Sequence, residues 1–230
     1  MIKKIYKNLA FLVAATGNSL LLLPLFRLFK NRYPCYAIPE ANVCIEGFPR
    51  SGNSFFVTTF QQWNRRIRIA HHSHLASSAK YYARQGKPTI VLIREPAEAI
   101  SSAIAWDGQD ARIVPSVGLI TYMSFYRSLH KYRQKVLFLE FNEAISHPDK
   151  CIEKINQRFG TSFNANEFTS EENNRIRQIL AVQDIHEKRS DLNSSLPNDL
   201  KSKLKDTQSS RFRLIATCLS IDSYSFSFVL

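Results

Sequence analysis

The chain reads as an α/β protein, a single domain in which helices flank a parallel sheet. Three observations predict this. From residue 42 onward, short apolar runs alternate with helix-length stretches. Two of the runs, Thr89–Ile93 and Val136–Phe141, are nearly continuous in apolar residues, as in strands covered on both faces. A third run, Val43–Ile45, enters a loop opened by Gly47 and closed by Gly52, and a helix-like run then begins near Ser51. Alternating strands and helices imply right-handed crossovers, with ligands held at the carboxyl ends of the strands.

Residues 1–33 stand apart from that pattern. Lys3, Lys4 and Lys7 precede an apolar run from Leu9 to Phe26, and Arg27, Lys30 and Arg32 follow it. The run is near the lower limit for spanning a bilayer, roughly 17–25 residues, and Gly17, Asn18, Ser19 and Pro24 interrupt it. No small-x-small cleavage site is evident. A helix in or through a membrane interface, a signal anchor and a helix covering the domain all fit, with membrane association favoured. The balanced flanking charges give no orientation.

Residues 34–230 form the domain. The expected strands are Asn42–Glu46, Ile67–His71, Thr89–Ile93 and Val136–Phe141. The expected helices are Ser51–Arg65, His74–Arg84, Pro96–Trp106, Ser116–Arg133 and Pro148–Phe159. Pro96 and Pro148 suit the first turn of a helix, where the missing N–H costs nothing. From Gly160 to Leu200 the chain is polar and predicts surface helices and mobile loops. Short helices are expected near Asn198–Asp206 and Ser210–Ser220, and an edge strand over Ile221–Leu230.

The charge balance is strongly basic: 31 Lys and Arg against 19 Asp and Glu, a formal +12. This points to a polyanionic ligand, an anionic membrane surface or nucleic acid, with a solvated basic surface as the plain alternative. Cys35, Cys44, Cys151 and Cys218 form no C-x-x-C pair. They read as buried thiols in a reducing, cytoplasmic setting rather than as a disulfide framework or zinc site.

Three segments carry chemistry. The first is Val43-Cys-Ile-Glu-Gly-Phe-Pro-Arg-Ser-Gly-Asn-Ser-Phe-Phe56. A strand, a glycine loop and a helix start cradle a phosphate with backbone N–H groups and the positive helix end. The spacing matches the nucleotide-kinase loop G-x-x-x-x-G-K-S/T, but Asn53 stands at the lysine position. The cation lies inside the loop instead, at Arg50, which argues against ordinary ATP or GTP chemistry. The second segment ends a strand at Arg94, starts a helix at Pro96 and places Ser102 eight residues beyond the arginine. Arg94 could hold a phosphate bidentately and Ser102 could donate its hydroxyl to it. Alternatively, Arg94 pairs with Glu95 or Glu98 and Ser102 packs in the helix. The third is Ala70-His-His-Ser-His-Leu75, a source of groups titrating near neutral pH. It also reads as a surface cluster, or as a metal pair of His72 and His74 on one strand face. No carboxylate or cysteine lies nearby to complete a metal set.

Taken together, the first two motifs resemble the sulfotransferases that use 3′-phosphoadenylyl sulfate (PAPS). That family's first motif runs Pro, Lys or Arg, Ser, Gly, Thr or Asn, Ser or Thr, then Trp, Phe or Leu; here it is Pro49-Arg-Ser-Gly-Asn-Ser-Phe55. Its second motif is an apolar strand, then Arg, Asn or Asp, Pro, and a serine eight residues past the arginine. Here these are Arg94-Glu95-Pro96 and Ser102. The resemblance covers about residues 42–160. The stretch Val136–Pro148 is similar to a third family segment, with Phe141 where tyrosine is usual.

The resemblance implies a phosphate-loop nucleotide-binding architecture and the following roles. The backbone of Ser51, Gly52, Asn53 and Ser54 would wrap the 5′-phosphosulfate. Arg50 would neutralise charge on the bridging oxygen electrostatically, since an arginine does not give up a proton. Phe55 matches the aromatic that stacks on adenine, or else packs in the core. Arg94 and Ser102 would bind the 3′-phosphate, and His74 matches the general base, with His72 the neighbouring candidate. Lys188-Arg189-Ser190 is a possible further contact. Trp106, Asp107, Asp110 and Arg112 would line the acceptor side. The implied reaction needs PAPS as co-substrate and no metal. Its partner is a hydroxyl-bearing acceptor (a glycan, lipid or small molecule), with a possible anionic membrane surface and no nucleic acid. The rivals are a phosphate-loop kinase or nucleoside triphosphatase, and a non-catalytic basic membrane-associated protein.

Overall fold

A computed structural model describes residues 40–106 and 114–186. Its elements are β1 (Val43–Gly47), α1 (Asn53–Trp63), β2 (Ile69–His71), α2 (Ala76–Arg84), β3 (Thr89–Ile93), α3 (Pro96–Trp106), α4 (Pro115–His130), β4 (Leu137–Glu140), α5 (Phe141–Ser146), α6 (Pro148–Phe159) and α7 (Ser170–His186). The four strands form one parallel sheet in the order β2-β1-β3-β4. This is the α/β architecture the alternation predicts.

Side chains alternate across the sheet, so one strand feeds two cores. Cys44 and Val91 face a layer built from α2, α3 and α4, with Tyr82, Ile100, Leu119 and Tyr126. Val43, Ile45, Ile90 and Leu92 face the other layer, with Phe56 and Phe60 of α1 and Ile152 and Ile155 of α6. Each such side chain, fully buried, contributes about 1.5–3 kcal/mol of hydrophobic stabilisation. With β1 and β3 in the middle, the segments leaving their carboxyl ends must lie side by side. That adjacency builds the site.

Several boundaries differ from the sequence expectation. β1 runs one residue further, to Gly47, and α1 starts at Asn53 rather than Ser51. Arg50 and Gly52 both have left-handed backbones, φ 69° and 87°, which no helix accepts. β2 begins at Ile69 because the Ile67 N–H is drawn into a turn by the Asn64 carbonyl at 3.0 Å. Helix α4 spans Pro115–His130, and β4 stops at Glu140 because Phe141 opens α5. The described part of the polar stretch after Gly160 holds the 17-residue α7, which packs through Ile176 and Leu180. Those two lie four apart, on one helical face. Cys44 and Cys151 are buried free thiols.

Among the described residues no helix is long and apolar enough to cross a membrane. Residues 1–33, Cys35, Cys218, the short helices expected at 198–206 and 210–220, and the tail at 221–230 lie outside the described residues.

Candidate active site

The loop between β1 and α1 is held from inside. Gly47 lies so close to β3 that a Cβ there would stand 2.7 Å from the Leu92 carbonyl oxygen, so no larger residue fits. The Ser51 N–H bonds the Phe48 carbonyl at 3.2 Å and closes a turn. Asn53, in the kinase lysine position, is buried. Its Nδ2 points inward and donates to the carbonyls of Gly47 (3.4 Å) and Phe48 (3.3 Å). From α4, the Tyr126 hydroxyl donates to the Leu92 carbonyl at 2.8 Å and accepts the Phe48 N–H at 3.4 Å, stapling the loop to β3. Burial pushes that phenol up to about 12.

Helix α1 opens without a side-chain cap among the described residues, and no acid lies in its first turn. Its first turn bonds through Phe56 N–H to the Gly52 carbonyl at 3.1 Å. The preceding N–H groups of such a turn have no intrahelical acceptor and suit an anion.

The second motif meets the first across 52 residues of sequence. Arg50 Nε donates to Ser102 Oγ at 3.3 Å. Arg94 Nη1 donates to the Arg50 carbonyl at 2.9 Å, securing the loop where its backbone is left-handed. Arg94 Nη2 pairs with Glu98 at 2.8 Å, so one of the two carboxylate pairings weighed from the sequence is present beside the loop contact. The guanidinium carbon lies 4.0 Å from the ring centroid of Phe141. Arg94 Nε is buried with no acceptor.

The histidine segment begins where β2 ends at His71. His72 and His74 both take left-handed backbones, φ 57° and 53°, a conformation uncommon outside glycine. The residue that holds them there is Glu46. Its side chain, 0 % exposed in β1, accepts the backbone N–H of Ser73 at 3.0 Å, that of His74 at 3.0 Å, and the Ser73 hydroxyl. Burial pushes the Glu46 carboxyl up to about 7, against the lowering effect of those bonds. His74 Nδ1 lies 2.8 Å from the Gly47 carbonyl. A carbonyl only accepts, so Nδ1 carries the proton and Nε2 keeps its lone pair. Burial, and then the charge of Arg50, lower the His74 pKa, with the Gly47 bond opposing them. His72 Nε2 pairs with Ser54 Oγ at 3.1 Å, and its Nδ1 contacts Nδ1 of His71. Burial pushes His71 down to about 4, with His74 adding to the effect.

Arg50, Ser51, Gly52, Asn53, Ser54, His74, Arg94 and Ser102 therefore gather at the carboxyl ends of β1, β2 and β3. Phe55 does not share that surface. It is 7 % exposed and packs beneath α7 with Ile176 and Leu180, its ring edge-on to Phe168. Trp106 is exposed at the end of α3. Asp107, Asp110, Arg112 and Lys188–Ser190 lie outside the described residues. His72 and His74 do not share a strand face, because β2 stops before them. Among the described residues no group of three or more His, Cys, Asp or Glu could hold a metal. An open groove of about 840 Å³ lies at the far end of α1, lined in part by Trp63, Arg65, Arg66, Asn164 and Arg175. It shares no residue with the loop.

Sequence reasoning missed Glu46, a carboxylate in the otherwise apolar run Val43–Gly47. That anomaly was the available signal. Sequence reasoning gives Phe141 only as a departure from the usual tyrosine, because the arginine over its ring comes from another strand.

The fold and this cluster define an α/β protein in which the β1–α1 loop, Arg94, Ser102 and His74 meet at the carboxyl ends of a parallel sheet. No protein-family model matches the chain, and no curated protein matches it. Among solved structures it is similar to a mouse sulfotransferase crystallised with PAP. The two share 12 % identity with a TM-score of 0.44, over 84 % of this chain and 90 % of that one.

Proposed function

We propose that the protein transfers a sulfuryl group from PAPS to a hydroxyl or amine. The observation that carries the reading is the convergence of the two motifs. Arg50 meets Ser102, and Arg94 meets the Arg50 carbonyl, at an uncapped helix start. The loop amides from Ser51 to Ser54 would receive the 5′-phosphosulfate, and Arg94 with Ser102 the 3′-phosphate. The acceptor oxygen would attack sulfur in line. His74 Nε2 takes the acceptor's proton as the new O–S bond forms. The S–O bond to the bridging phosphate oxygen breaks, and PAP leaves with the electron pair. Arg50 offsets charge on that bridging oxygen as a fixed cation. An adenine platform at Phe55 requires α7 to move off the ring.

A kinase reading is less well supported. The Asn53 side chain is turned into the loop and supplies no cation to a β- or γ-phosphate. Residues 1–33 would hold the protein at an anionic membrane in a cytoplasmic setting, through apolar burial and lysine attraction acting together. Co-sedimentation of the full chain with anionic liposomes tests that.

The activity is tested with radiolabelled PAPS and a panel of glycan, lipid, phenol and peptide acceptors. The expected result is a labelled acceptor formed by the wild type and not by His74→Ala. Label released to no acceptor in the panel, together with no binding of PAP, overturns the reading.

A further inference from the structure

We propose that Phe141 is a specificity-determining positioning residue, whose ring orients the Arg94 guanidinium toward the 3′-phosphate of the nucleotide. The inference rests on the sulfuryl-transfer reading and deepens it.

The sheet register puts these residues together. Ile93 pairs with Glu140 across β3 and β4, so Arg94 and Phe141 leave neighbouring strand ends at the same level. The guanidinium carbon then sits 4.0 Å from the Phe141 ring centroid, well inside the range of a cation–π contact. Two further partners fix the remaining freedom of Arg94. Nη1 is tied to the Arg50 carbonyl and Nη2 to Glu98. A guanidinium held at two edges and one face keeps its plane, which is what bidentate recognition of a phosphate needs.

The same ring touches the loop. A Cβ added at Gly52 would lie 2.9 Å from Phe141 Cδ2, so the ring packs directly against the loop glycine. Phe141 is thus in contact with the 5′-side loop through Gly52 and with the 3′-side arginine through its face. Neither contact involves a hydroxyl. The ring, rather than a phenol oxygen, is the part this site uses.

The residue acts through Arg94, so the test compares a nucleotide that needs Arg94 with one that does not. Affinities for PAP and 5′-AMP are measured by calorimetry on the full-length wild type, Phe141→Tyr and Phe141→Leu, with a melting temperature for each. Leucine keeps apolar bulk and removes the aromatic face; tyrosine keeps the face. The expected result is a PAP-to-AMP preference unchanged in F141Y. In F141L the preference should fall about five-fold, PAP binding weakening by more than AMP binding. F141L losing PAP and AMP affinity alike would make the ring mere packing and overturn the proposal, as would an F141L preference equal to wild type. A wild type that binds PAP no better than 5′-AMP would instead sink the sulfuryl-transfer reading itself, and the inference with it. If F141L does not fold, loss of the preference in well-folded F141Y overturns the proposal, and its retention supports it.

Discussion

The glycine loop and the histidine segment leave neighbouring strands, yet they are held by different means. In the loop, carbonyl oxygens are tied down: Gly47 and Phe48 by Asn53, Gly47 again by His74, and Arg50 by Arg94. In the histidine segment it is the N–H groups of Ser73 and His74 that are tied, by the Glu46 carboxylate. Two loop N–H groups are bonded as well, that of Phe48 to the Tyr126 hydroxyl and that of Ser51 to the Phe48 carbonyl. In the proposed reaction the amides at the start of α1 would serve the anion, and Nε2 of His74 would accept the proton. The proposed anion end and base end would thus lie on two neighbouring loops that are secured through different backbone groups.

Breaking the base end should have the largest effect. His74→Ala should lower turnover by roughly 10²–10⁴ while PAP affinity stays unchanged, because general base catalysis contributes on that scale. A matching loss from His72→Ala, with His74→Ala silent, would move the base two residues. The pH profile sharpens the same point. The base works only when neutral, and the His74 pKa lies below its ordinary 6.5. Turnover should therefore hold down through pH 6.5 and fall only at more acid pH. An acid limb centred above 6.5 would contradict a lowered His74 pKa.

At the anion end, Gly52→Ala meets both a left-handed backbone, φ 87°, and the Phe141 ring. It should cost about 1–3 kcal/mol of stability and weaken PAP and 5′-AMP together. Unchanged thermal unfolding and nucleotide binding in that variant would mean the loop does not need its observed path.

A smaller effect separates Glu46 from a neutral substitute. Its carboxyl stands at about 7 in the fold against an ordinary 4.5. The native state thus binds more protons than the unfolded state between those values, and stability declines as pH rises through that window. Wild-type melting temperature should fall from pH 5 to pH 7, and Glu46→Gln should lose that fall. Parallel pH curves for the two proteins would show that Glu46 does not titrate as described.

Much of the β1–α1 loop was legible in the sequence. Glycine spacing, a loop arginine and a serine eight residues past a strand-end arginine are local patterns, and the glycines map onto backbone that needs them, the close approach of Gly47 to Leu92 and the left-handed Gly52. The histidines were legible only as a cluster. Their left-handed turns and the tautomer of His74 depend on Glu46 and the Gly47 carbonyl, which lie more than twenty positions away and reach them only through the β1–β2 pairing. Phe55 shows the converse. Its motif position fits a base platform, but α7 supplies Ile176 and Leu180 from a polar stretch with little apolar content, and the ring is covered.

The central claim is that the loop and the Arg94–Ser102 pair form one receptor for a nucleotide phosphorylated at both ends. Calorimetric titration of the wild type and Arg94→Ala with PAP and 5′-AMP tests it most directly. The account predicts that the wild type binds PAP much more tightly than 5′-AMP. Arg94→Ala should erase about 1.5–3 kcal/mol of that difference, as for a hydrogen bond to a charged group. Equal affinity of the wild type for the two nucleotides would contradict it.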